Sequence, residues 1–129
     1  MTAELWALTC AGLIGIGQLI ASMVSPLGQP GYAAWTATNR DAAFELTGKG
    51  ARFARALRNF QETFVLFVAF VLILTALHKS TAVSVGGAWL YVAARLVYVP
   101  AYVYGSRLRT PVWTLSMLGL LALLVTIVI

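Results

Sequence analysis

Apolar residues crowd four stretches of the chain, Leu5 to Val24, Phe60 to Leu77, Val83 to Tyr104 and Val112 to Ile129, with polar residues gathered between them. Each stretch approaches the roughly 20 residues that a helix needs to cross a hydrocarbon layer. A chain that is 60% hydrophobic and only 10% charged also lies outside the range of water-soluble domains. The pattern predicts an all-α integral membrane protein, one domain folded as an antiparallel four-helix bundle. The expected transmembrane helices run over about 5–24, 54–77, 83–104 and 112–129, with a long connection over 25–51. No basic segment precedes the first run and Glu4 stands at its start, so the first helix is expected to remain as a span rather than be cleaved as a leader.

The connection over 25–51 carries Pro26, Gly28, Pro30, Gly31, Gly48 and Gly50, which interrupt helices through missing donors and permissive backbone angles. It is expected to form a structured or interfacial loop, with Tyr32 and Trp35 anchoring it at the headgroup level. Gly12, Gly15 and Gly17 offer a small surface for close packing of the first helix. Thr110 followed by Pro111 predicts a cap and a first helical position for the last.

Charge adds a direction to this picture. Arg40, Lys49, Arg52, Arg55 and Arg58 follow the first span, Arg107 and Arg109 precede the fourth, and only His78 and Lys79 lie between the second and third. Basic residues concentrate on the cytoplasmic side, so the first and third connections are expected there and both termini on the opposite side. The net charge of +5 then reflects membrane topology rather than nucleic-acid binding. Cys10 sits alone inside the first span and has no disulfide partner, and His78 lacks the neighbours of a metal site, so no metal is expected.

Polar residues nevertheless continue into the second span. At about 100° per residue, Arg55, Asn59 and Glu62 fall within about 60° of one another, and Glu62 lies about 15 Å inward from Arg52. In the third span Tyr91, Arg95, Tyr98 and Tyr102 share a face of similar width, with Arg95 about 18 Å along the axis from Arg107. An unpaired charge at that depth costs at least ~2.5 kcal/mol on insertion scales, so an ion pair between Glu62 and Arg95 is expected across the two antiparallel helices. Two helices could be locked by such a pair alone. The wider set, with guanidinium groups for carboxylates, an amide for peptide groups and a carboxylate for an ammonium, suits a small, multiply charged, peptide-like ligand.

Two motifs make the match more specific: R-A-L-R-N-F-Q-E from Arg55 to Glu62, and A-R-L-V-Y-V-P-A-Y from Ala94 to Tyr102, followed by R-L-R-T-P from Arg107 to Pro111. They resemble the MAPEG family, the membrane-associated proteins of eicosanoid and glutathione metabolism, in a bacterial-type form. The resemblance implies a homotrimer in a bacterial inner membrane, with glutathione as cosubstrate held in a bent form between neighbouring subunits. It places Arg55, Asn59 and Glu62 on the backbone and charged ends of glutathione, Arg95, Tyr98 and Tyr102 in the same site, and Arg109 at the thiolate. Arg107 stands where it can supplement the contacts. The chain departs from the leukotriene-synthase type in SMVSPLGQPG, which has no basic residue, and at Leu57, Thr63 and Val65, where that type has glutamine, tyrosine and proline.

A glutathione transferase or peroxidase acting on lipophilic electrophiles is the first function implied. A member that binds a thiol or lipid without efficient turnover is the alternative. A small multidrug transporter also has four spans and an embedded glutamate, but carries that glutamate inside its first helix, where this chain has only Gln18.

Overall fold

The computed structural model describes all residues from Met1 to Ile129. The chain runs through α1 (Ala3–Val24), a 3-10 turn (Ser25–Gly28), the short α2 (Tyr32–Thr36), α3 (Gly48–Ala76), α4 (Ala82–Val103) and α5 (Arg109–Val128). Helix accounts for 79% of residues and there are no strands. The four long helices are each apolar and long enough to cross a membrane, and they form an up-and-down four-helix bundle.

Small residues bring the helices together. Ala7 and Ala11 of α1, Ala88 of α4 and the larger Phe67, Val71, Leu74, Tyr91, Leu120 and Leu123 make the buried core. The closest approach joins α4 to α5 at two glycines: a Cβ on Gly87 would come to 2.7 Å from Ala122 Cβ and 2.9 Å from the Gly119 carbonyl, and a Cβ on Gly119 to 2.7 Å from the Gly87 carbonyl. Of the three glycines expected to pack α1, only Gly15 meets a neighbour, the Phe60 ring, while Gly12 and Gly17 face open space. Outside this core, Leu13, Ile16, Ile20, Val65, Leu72, Leu96, Leu118 and Leu121 are exposed around the bundle. Such an apolar girdle would be a large aggregating surface in water and is the natural surface of a protein dissolved in lipid.

Helix ends show where sequence punctuation was misleading. α3 begins at Gly48, six residues before its expected start, because Gly50 lies against Pro26, where a Cβ would come to 3.1 Å from the ring. The connection is correspondingly shorter and is built locally: Gln29 donates to the Glu45 carbonyl (2.7 Å) and accepts from the Thr47 amide (3.1 Å). Tyr32, Trp35 and Phe44 cluster, and the Trp35 indole donates to the Ala42 carbonyl at 2.6 Å. α5 starts at Arg109 with Leu108 before it, so Thr110 is not the cap. Pro111 falls in the first turn, where backbone amides have no partner within the helix and a missing donor costs nothing.

α3 and α4 end alike. The amides of His78 and Lys79 donate to Thr75 and Leu74, and those of Gly105 and Ser106 to Tyr102 and Ala101, with His78 and Gly105 in the left-handed region at φ 53° and 72°. This reversal satisfies the last carbonyls and turns the chain sharply. The turn after α4 carries Arg109 back over the end of the bundle.

Candidate functional site

Arg95 organises the half of the bundle toward the end where α1 and α4 finish and α3 and α5 begin. Its side chain is fully buried between two rings of its own helix, with the guanidinium carbon 5.5 Å from the Tyr91 centroid and 5.3 Å from that of Tyr98. Spacings of four and three residues put the rings above and below the cation, an arrangement that favours charge at the ring faces. Nη1 donates to Asn59 Oδ1 at 2.7 Å, while Nε and Nη2 have no partner.

The expected ion pair between Glu62 and Arg95 is therefore absent, and Asn59 takes its place. Glu62 faces outward and is exposed. Three residues apart, the two positions differ by about 60° around the helix, enough to send Asn59 toward α4 and Glu62 onto the outer flank. Tyr91, on the same face as Arg95, belongs to the core: it stacks on Phe67 at 4.2 Å and shares a hydrogen bond with Thr63 at 3.1 Å.

Toward the end of α4 the polar face opens. Tyr98 and Tyr102 lie 5.6 Å apart, Arg55 Nε donates to the Tyr102 hydroxyl at 3.3 Å, and the Arg109 guanidinium sits 5.7 Å from the Tyr102 centroid. Arg52 Nη1 donates to the Val103 carbonyl at 2.8 Å, fixing the start of α3 to the end of α4 where the helix dipole favours a cation. Asn59, Tyr98, Tyr102, Arg109, Thr110 and Trp113 line an open recess of about 170 Å³. Thr110 and Trp113 were not expected there. Trp113 follows Arg109 by four positions, so the helical spacing of α5 carried that information once its start was known. Arg107 is exposed and makes no hydrogen bond with the cluster.

The structure thus gathers Arg55, Asn59, Arg95, Tyr98, Tyr102 and Arg109 around one polar end, and leaves Glu62 and Arg107 on its outer surface. Chemically the recess offers the Arg109 guanidinium, two phenols and an amide, and behind it the buried Arg95 keeps two donors unmatched. Thr63, one of the departures from the leukotriene-synthase pattern, points its hydroxyl to Tyr91 in the core.

A bundle of four apolar helices with a cationic, tyrosine-lined recess at one end defines a small integral membrane protein with a polar recess. The chain matches the MAPEG family over residues 5–129 and belongs to it. It is accordingly a membrane protein of the kind that serves glutathione and eicosanoid metabolism. Neither the curated proteins nor the solved structures include a significant match to the chain.

Proposed function

We propose that the protein is a glutathione-dependent membrane enzyme, a transferase or peroxidase acting on lipophilic electrophiles, and that it works as a homotrimer. The observation that carries this is a recess lined by Asn59, Tyr98, Tyr102 and Arg109, with Arg55 bonded to the Tyr102 hydroxyl beside it and the buried Arg95 bonded to Asn59 behind it, its Nε and Nη2 unpartnered. Glutathione has two carboxylates, one ammonium, two amides and a thiol. Guanidinium groups match the carboxylates, the Asn59 amide matches peptide groups, and Glu62, on the outer flank, would supply the acceptor for an ammonium once a neighbouring copy closes the site.

One chain provides only part of such a site. Its recess of about 170 Å³ is below the ~300–1,000 Å³ common for ligand pockets. Arg55, Arg58, Gln61 and Glu62 are exposed on the flank of α3. Charged and amide groups on a membrane helix require cover, and a neighbouring copy would both cover them and close the recess. In a bacterial inner membrane, with both termini away from the cytoplasm, the recess would open toward cytoplasmic glutathione.

Arg109 is assigned to the thiol. A guanidinium beside a thiol favours its ionised form, with the proton passing to solvent. With an aryl halide, the sulfur–carbon bond then forms and the halide leaves with its bonding electron pair. Arg109→Ala is expected to lower conjugation by about 10²-fold, the scale for losing one preorganised electrostatic contact, while still binding glutathione. Unchanged turnover in Arg109→Ala would remove Arg109 from the chemistry.

A second role, thiol or lipid binding without efficient turnover, is favoured by one feature: from Ala3 to Gly31 the chain has no basic residue to assist a second substrate. Saturable glutathione binding by the wild type with no conjugation or peroxidase activity would select it. Family membership weighs against the transporter.

A further inference from the structure

At the opposite end of the bundle, far along the helices from Arg95 and independent of the glutathione site, lies a second cavity of about 230 Å³. Its walls come from the start of α1 (Thr2, Glu4), the end of α3 (Thr75) and the turn that follows (His78, Lys79, Ser80). Glu4 is 2% exposed. Two hydroxyls, Ser84 Oγ at 2.6 Å and Ser80 Oγ at 2.8 Å, donate to the same oxygen, Oε1. Oε2 is buried and has no partner. Joining α1 to α4 through Ser84 accounts for the first oxygen and not the second.

The remaining walls carry the opposite character. Lys79 Nζ reaches only the Ile127 carbonyl, at 3.5 Å, the outer limit of a hydrogen bond, and His78 is exposed. A simple anion entering here meets the Glu4 carboxylate, and a simple cation meets Lys79. A zwitterion with a hydrogen-bonding ammonium and an anionic group matches both walls. Lys79 also lines a neighbouring groove of about 390 Å³ between the start of α4 and the end of α5, whose other walls include Val83, Val125 and Ile129. A cavity lined by charged and hydroxyl side chains at the end of a membrane span, sharing Lys79 with an apolar groove, has the form of a headgroup site beside an acyl-chain site.

We propose that this end binds phosphatidylethanolamine, its ammonium directed to Glu4, its phosphate to Lys79 and His78, and one acyl chain lying in the groove of Val83, Val125 and Ile129. The ammonium is decisive. Phosphatidylcholine presents a quaternary nitrogen that cannot donate a hydrogen bond to Glu4, and phosphatidylglycerol has no ammonium at all.

Native mass spectrometry tests this on the full chain released from detergent containing equal amounts of phosphatidylethanolamine, phosphatidylcholine and phosphatidylglycerol with identical acyl chains. The expected result is retention of phosphatidylethanolamine with about tenfold preference, lost in Glu4→Gln and weakened for every phospholipid in Lys79→Ala. Glutathione binding should not change in either variant. Equal retention of the three lipids, or an undiminished preference in Glu4→Gln, overturns the proposal. Binding of free phosphoethanolamine as tight as that of the lipid would assign the cavity to a soluble zwitterion and overturn it equally. Should Glu4→Gln fail to fold, the wild type decides with successively N-methylated phosphatidylethanolamines: progressive loss supports a hydrogen-bonded ammonium, and indifference to methylation contradicts it.

Discussion

Arg95 shows how a residue can be legible in role and misread in partner. Its depth in the third apolar run marked it as a charge that had to be held, and the structure holds it between Tyr91 and Tyr98. Its hydrogen bond, however, goes to Asn59 and not to Glu62. A helical wheel resolves a face but not which of two residues a turn apart points at the facing helix, because that depends on the rotation of α3 in the bundle. Asn59→Ala would leave a buried guanidinium with no hydrogen bond. The expected loss is about 1–3 kcal/mol, read as a lower midpoint in thermal unfolding in detergent. Tyr91→Phe removes only the hydroxyl shared with Thr63, so a loss of about 0.5–1.5 kcal/mol with unchanged glutathione affinity is expected, measured by the same unfolding assay and by titration.

At the scale of elements, the four apolar helices could be read directly from the runs of hydrophobic residues, since the bilayer sets their length. Their contacts could not. Glycines in α1 looked like the packing surface, yet the tight contact is between Gly87 and Gly119, which are 32 positions apart in sequence by their numbering and meet only because α4 and α5 are antiparallel neighbours. Gly119→Ala would drive a methyl group into the Gly87 carbonyl and the Tyr91 amide, at 2.7 and 2.9 Å, for an expected loss of about 1–3 kcal/mol. Gly86→Ala, one residue from the contact but facing open space, is the matched control and should be neutral or slightly stabilising. Comparing the two thermal midpoints checks the register of α4 on α5. Local punctuation was similarly ambiguous: Gly48 and Gly50 looked like loop residues and open α3, and Thr110 looked like a cap and lines the recess. In both places tertiary contact, with Pro26 or with the tyrosine face, determines the use.

For the whole molecule, the apolar girdle suits lipid, and the polar flank of α3 is the surface that the proposed trimer would cover. Arg55, Arg58, Gln61 and Glu62 are exposed on a helix apolar enough to span the bilayer. The protein in mild detergent is expected to have a protein mass of three 13.9 kDa chains, measured by light scattering with the detergent contribution subtracted. A monomer at all concentrations would contradict the shared recess. The motifs named Arg55, Asn59, Glu62, Arg95, Tyr98, Tyr102, Arg107 and Arg109 as one set, and the bundle brings all but Glu62 and Arg107 together at one end. Their use is tested most directly by isothermal titration of glutathione into the wild type and into Arg55→Ala at matched protein concentration. Saturable binding to the wild type, weakened by at least about tenfold in the variant, is the predicted result. Absence of binding to the wild type, or equal affinity in the two proteins, would contradict the assignment of this recess to glutathione.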